Sequence, residues 1–221
     1  MGDLIRYITD IDTDLLLLIN GSHTPVADAF MYLFSSKLVW IPMYASLLFV
    51  LWKNLSWPQL IGCLLAVALT IVLADQVCGS VIRPLVGRYR PANVNSPIAD
   101  LVHIVAGHRG GRFSFPSCHA ANTFGLAFFA YYVVRRRALT LFFVIWALLT
   151  CYSRAYLGLH YPGDLLVGAL IGYLAASLSY WLLVKIAKYK PVKRVSYANL
   201  PIWVGSLTTL ILLLAAPVLE V

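Results

Sequence analysis

Three short polar groups interrupt an otherwise apolar chain, and their residue types belong together chemically. The first is Arg83-Pro84-Leu85-Val86-Gly87-Arg88-Tyr89-Arg90-Pro91. The second is Phe115-Pro116-Ser117-Cys118-His119. The third is Ser153-Arg154, followed five residues later by His160-Tyr161-Pro162-Gly163-Asp164. Arg83, Arg90 and Arg154 offer planar, forked cations suited to phosphate. Two imidazoles beside such cations suggest a nucleophile and a general acid. Asp164, four residues after His160, is spaced to hold one ring nitrogen and leave the other free. Two histidines and one aspartate could bind a metal, but zinc and di-iron sites usually show closer ligand spacing or more acids. Ser117, after Pro116, reads as a helix N-cap, which would turn the backbone N–H groups near Cys118 and His119 toward an anion. These residues converge on phosphate chemistry that requires neither metal nor cofactor.

The elements that must carry these groups are membrane helices. Apolar residues make up 61% of the 221 and charged residues 12%, against roughly 45–50% and about 25% in ordinary soluble domains. A single soluble domain of this size cannot hide that excess, and disorder is excluded by the same numbers. Six spans are expected: Val26 to Trp52, Trp57 to Val81, Ser117 to Val134, Ala138 to Cys151, Pro162 to Val184 and Leu200 to Leu219. The fourth is the shortest. Residues 1–22 read as an amphipathic helix at the interface, ending near Asn20-Gly21. Residues 83–115 form the longest polar insert, within a single domain spanning 1–221. The four cysteines show no CxxC pair, and no cleaved signal peptide is expected.

Charge orients the chain. Seventeen Lys and Arg face nine Asp and Glu, a net charge of +8. Lys53, Arg135, Arg136, Arg137, Lys185, Lys188, Lys190, Lys193 and Arg194 fall on one side of the six spans with no acid among them. The positive-inside rule makes that side cytoplasmic. The three polar groups then face outward, and the basic surplus is topological, with no nucleic-acid partner implied. Trp40, Trp52, Trp57 and Trp203 read as an interface belt. Cys63 and Cys151 read as small packing residues, and Asp75 as a buried acid in the second span. Arg88, Arg109, Arg112, His103 and His108 read as solvated charges of the insert, with a head-group contact as the lesser reading.

These motifs resemble the type 2 phosphatidic acid phosphatase superfamily, integral-membrane lipid phosphatases related to vanadium haloperoxidases. The family pattern is Lys-x6-Arg-Pro, Pro-Ser-Gly-His and Ser-Arg-x5-His-x3-Asp. The third motif is complete here; Cys118 replaces Gly in the second, and Arg83 replaces Lys in the first. The resemblance implies an all-α bundle in which His160 forms a phosphohistidine, Asp164 orients it and His119 protonates the leaving lipid oxygen. Arg83, Arg90, Ser117, the Cys118 N–H and Arg154 would hold the phosphate. Implied substrates are lipid phosphates at the outer face of a bacterial inner membrane. Lipid A phosphate leads, because a basic insert suits a bulky, multiply phosphorylated head group. Undecaprenyl diphosphate, phosphatidylglycerol phosphate and phosphatidic acid are the alternatives. A transporter would need charges at the bilayer midplane, and a haloperoxidase would be soluble.

Overall fold

The computed structural model describes residues 2–192 and 195–219, so Lys193 and Arg194 of the basic cluster lie outside the described residues. Among the described residues nine α-helices follow one another: α1 (Gly2–Gly21), α2 (Pro25–Phe34), α3 (Ile41–Asn54), α4 (Trp57–Asp75), α5 (Arg83–Val86), α6 (Cys118–Val134), α7 (Arg137–Tyr156), α8 (Pro162–Ile186) and α9 (Leu200–Ala215). No β-strand occurs among the described residues; Tyr89 and Phe113 form an isolated antiparallel bridge. Prolines open α2, α4, α8 and α9 within their first turns, where a missing N–H costs nothing.

Among the described residues four helical stretches are long and apolar enough to cross a membrane: Trp57–Val86, Arg137–Tyr156, Pro162–Ile186 and Leu200–Val218. The segment expected as one span from Val26 to Trp52 is instead a pair of helices bent by 67°, which makes five if the pair counts as one. Helix α6, with 17 residues, is shorter than these. The expected second span runs on past Val81 through a π-helical stretch, Gln76–Ile82, and α5. Arg83 therefore sits on the end of a helix and not in the insert, and Gly87 closes that helix at φ 64°. The expected fourth span, Ala138 to Cys151, extends to Tyr156, so Ser153 and Arg154 are helical.

Helices α6 and α8 touch backbone to backbone. A Cβ at Gly168 would run into the Ser117 carbonyl, and one at Gly172 into the Ala121 carbonyl. The small-xxx-small spacing of these glycines permits that approach. It brings the start of α6, which bears the second motif, beside the start of α8, which bears Asp164. The main core lies on the far side of this crossing. There Phe34, Trp40, Phe143 and Trp146 meet edge to face, each such pair adding about 0.5–1.5 kcal/mol beyond its buried area.

Two sequence expectations change here. Trp40 is no interface residue: it is 2% exposed, and its indole N–H donates to the Phe34 carbonyl at 2.9 Å. It fills the elbow between α2 and α3. Trp52, Trp57 and Trp203 are exposed, as an interface belt requires. Asp75 is exposed and not buried, and Asn122 Nδ2 donates to its Oδ1 at 3.3 Å. Cys63 and Cys151 are buried among apolar side chains.

Candidate active site

The third motif is shaped by a turn between α7 and α8. Gly158 sits at φ 65°, and a Cβ there would collide with Val102; only glycine takes this conformation without strain. The Leu159 N–H returns to the Arg154 carbonyl at 3.0 Å. His160 thus follows directly from the end of the helix that carries Arg154. Asp164 occupies the third position of α8, where its Oδ2 accepts from the Tyr161 N–H at 2.9 Å. A carboxylate there also suits the positive end of the helix dipole. The same Oδ2 lies 3.5 Å from His160 Nδ1, and neither residue has any exposed surface.

The other motifs are tied to this turn by hydrogen bonds between distant segments. Ser117 N–H donates to the Asp164 carbonyl at 3.0 Å, and Ala92 N–H to the Gly158 carbonyl at 2.9 Å. Ser117 caps α6 as expected, its Oγ accepting from the Ala120 N–H at 3.4 Å. Its own O–H remains free to donate. Arg83 Nη2 donates to the Pro116 carbonyl at 2.9 Å and to Cys118 Sγ at 3.0 Å. The two departures from the family pattern, Arg83 and Cys118, are therefore bonded to each other. Arg90 is buried, with Nε donating to the Phe113 carbonyl at 3.2 Å. Arg154 is buried too, with Nη1 donating to Ser35 Oγ at 2.5 Å. Four buried nitrogens of this group have no hydrogen-bond partner among the described residues: Arg83 Nε, Arg154 Nε and both ring nitrogens of His160. The two guanidinium N–H donors left open in this way call for an anionic partner. Among the described residues no cluster of three or more His, Cys, Asp or Glu is arranged to hold a metal ion.

His119 opens onto a cavity of 390 Å³. Trp40, Leu47, Leu51, Val67, Leu126 and Trp146 are among its apolar lining, and Lys37 and Asn122 also line it. Ser35, which holds Arg154, lines it as well; an apolar cavity with cations at its edge suits a molecule with an apolar body and an anionic end.

Burial first, and neighbouring charge second, sets the protonation of the groups at the turn. Burial, then the neighbouring Arg83, lowers the Arg90 pKa to about 10, so it stays a cation at neutral pH. His160 is pushed well below its ordinary 6.5, first by burial and then by the charges of Arg90, Arg154 and Arg83. It is held neutral, as a nucleophilic imidazole must be. An unfolded chain takes up this proton below pH 6.5 and the folded one does not. Stability is therefore full above that pH and declines as the pH falls toward the depressed value. The thermal midpoint in detergent is expected to stay level above pH 6.5 and drop below it. His160→Gln should lessen that drop; an unchanged profile in the variant would assign it to other groups.

Every site residue expected from the motifs lies on these segments. Two residues of the neighbourhood were not expected. Arg88, read as a solvated charge, donates from Nη1 to Asp164 Oδ1 at 3.2 Å and to Asp12 Oδ2 at 2.6 Å. Asp12, on α1, carried no sequence signal beyond being one of several acids. The rest of the insert behaves differently. Arg109 bonds the Ala92 carbonyl, Arg112 lies against Phe113, and His103 pairs with Asp28 at 2.8 Å.

A helical bundle of membrane-length apolar helices with a buried His–Asp pair under the charge of three arginines defines a phosphate-handling membrane protein, and the chain belongs to the PAP2 superfamily, whose sequence profile matches residues 60–188. It is 54% identical to the lipid A 4′-phosphatase of Bacteroides thetaiotaomicron, over 83% of this chain and 81% of that protein. The lipid A 4′-phosphatase of Porphyromonas gingivalis is 32% identical, over 80% and 74%. The crystal structure of Aquifex aeolicus LpxE superposes with a TM-score of 0.57 at 26% identity, covering 76% of this chain and 94% of that one.

Proposed function

We propose that this chain removes a phosphate monoester from lipid A, by attack of His160 on phosphorus. The observation that carries the reading is the buried His160–Asp164 pair beside buried arginines, with His119 opening onto an apolar cavity. The two lipid A 4′-phosphatases among its relatives support a monoester over a diphosphate. His160 Nε2 forms a bond to phosphorus as the bond from phosphorus to the lipid oxygen breaks. His119 gives that oxygen its proton. Water, deprotonated by His119, then displaces His160 and releases inorganic phosphate. Arg83, Arg90, Arg154, the Ser117 hydroxyl and the Cys118 N–H hold the non-bridging oxygens, where preorganised donors act most strongly.

The proposed setting is a single domain over 1–221 with six spans. The bent α2–α3 pair counts as one, and α6, about 25 Å long at 1.5 Å per residue, as the sixth. The basic loops face the cytoplasm, the site faces outward from a bacterial inner membrane, and α1 rests at the interface. Phosphate release from bis-phosphorylated lipid A, undecaprenyl diphosphate, phosphatidylglycerol phosphate and phosphatidic acid tests the reading. Lipid A is expected to be cleaved fastest, with the same rate in EDTA. Much faster cleavage of undecaprenyl diphosphate would replace lipid A as the substrate, and loss of activity in EDTA would remove the metal-free mechanism.

A further inference from the structure

Helix α1 is mostly exposed, yet it is pinned to the site at two points. Near its end, Asn20 is 1% exposed, donates to the His103 and Tyr156 carbonyls at 3.0 and 2.7 Å, and accepts from the His103 N–H at 2.8 Å. Near its middle, Asp12 spans two partners. Its Oδ1 accepts from the Gly163 N–H at 2.7 Å, in the first turn of α8, and its Oδ2 accepts from Arg88 at 2.6 Å. The family match, residues 60–188, does not reach this helix.

Arg88 is the link between that helix and the chemistry. Its Nη1 also donates to Asp164 Oδ1, and its guanidinium carbon lies 3.5 Å from the centre of the Tyr161 ring. Three contacts from two segments, α1 and the start of α8, fix one side chain. Asp164 has no exposed surface, and a buried carboxylate without a counter-charge is strongly unfavourable. Arg88 supplies that charge on one oxygen, leaving the other for the Tyr161 N–H and for His160. Asp12 in turn balances Arg88 and sets where its fork sits.

We infer that Arg88 and Asp12 are positioning residues for the His160–Asp164 pair, and that α1 is thereby part of the catalytic unit. The inference rests on the proposed function. It is tested on intact protein in detergent with Arg88→Gln, Arg88→Lys, Asp12→Asn, the Asp12→Asn/Arg88→Gln double variant and Asp14→Asn, an exposed acid on the same helix. Rates are read on lipid A and on p-nitrophenyl phosphate, so a protein inactive on lipids still reports the coupling. By analogy with groups that orient metal ligands, Arg88→Gln should lower kcat about 10–100-fold with KM nearly unchanged. Asp12→Asn should lower it less, the double variant no further than Arg88→Gln, and Arg88→Lys should recover part of the loss. Asp14→Asn should match wild type. Unfolding midpoints identify any variant that has lost its fold. A rise in KM at constant kcat would make Arg88 a head-group ligand. Multiplying losses in the double variant, or an inert Asp12→Asn, would overturn the relay. An active wild type whose preferred substrate is not a lipid phosphate would instead remove the functional reading and leave the relay in place.

Discussion

His160→Ala is expected to lower phosphate release by about 10⁴-fold or more, the scale seen when a nucleophile is removed from a preorganised site. The variant should remain folded. Neither ring nitrogen of His160 has a hydrogen-bond partner among the described residues, so its removal breaks no internal hydrogen bond. Asp164, its carboxylate neighbour at 3.5 Å, keeps Arg88 and the Tyr161 N–H. Rate and unfolding midpoint should therefore separate. A fall in both together would make His160 a structural core residue, and full activity would remove it from the mechanism altogether.

Arg154→Ala should cost about 10²–10³-fold in kcat, the usual effect of deleting one donor to a developing anion. Arg154 is 6% exposed, one arm is committed to Ser35, and its Nε has no partner among the described residues. Lysine at this position keeps the charge but has one compact ammonium where the guanidinium presents a fork. It cannot both hold Ser35 and reach an oxygen along the Nε edge. Arg154→Lys should thus recover less than half of the lost free energy. Parallel measurement of kcat and KM decides the point. A pure rise in KM would mean that Arg154 binds ground state and transition state equally.

The motifs made most of the site legible because their geometry is local. His160 and Asp164 are four residues apart across the start of α8, and Ser117 announces a helix start by type and by its proline neighbour. Helix α1 was readable to within a residue of its end, since Asn20-Gly21 stops a periodic pattern. Arg88 was not readable. Its partners, Asp12 and Asp164, each lie 76 residues away, and nothing in a basic loop residue distinguishes one that turns inward. Trp40 misled for a related reason. A tryptophan near a span end fits an interface belt, but here the chain bends and the span end folds into the core. The length of α7 was underestimated because polar Ser153 and Arg154 look like a terminus to a hydropathy reading. They are buried helical residues whose polarity is answered in two ways: Arg154 bonds Ser35 on a distant segment, and Ser153 Oγ donates to the Thr150 carbonyl of its own helix.

The glycine contact between α6 and α8 has a mechanical consequence. Most helix interfaces contain a layer of side chains, which can change rotamer and so act as a soft gasket. At Gly168 and Gly172 that gasket is missing, and the spacing is set by the hard radii of backbone atoms. The start of α6, with His119, and the start of α8, with Asp164, are thereby held like the jaws of a fixed caliper. The outward positions of α8, such as Leu166, Leu170 and Leu174, are exposed and take no part in that setting. They can vary with the lipid around them while the opening of the jaws stays the same.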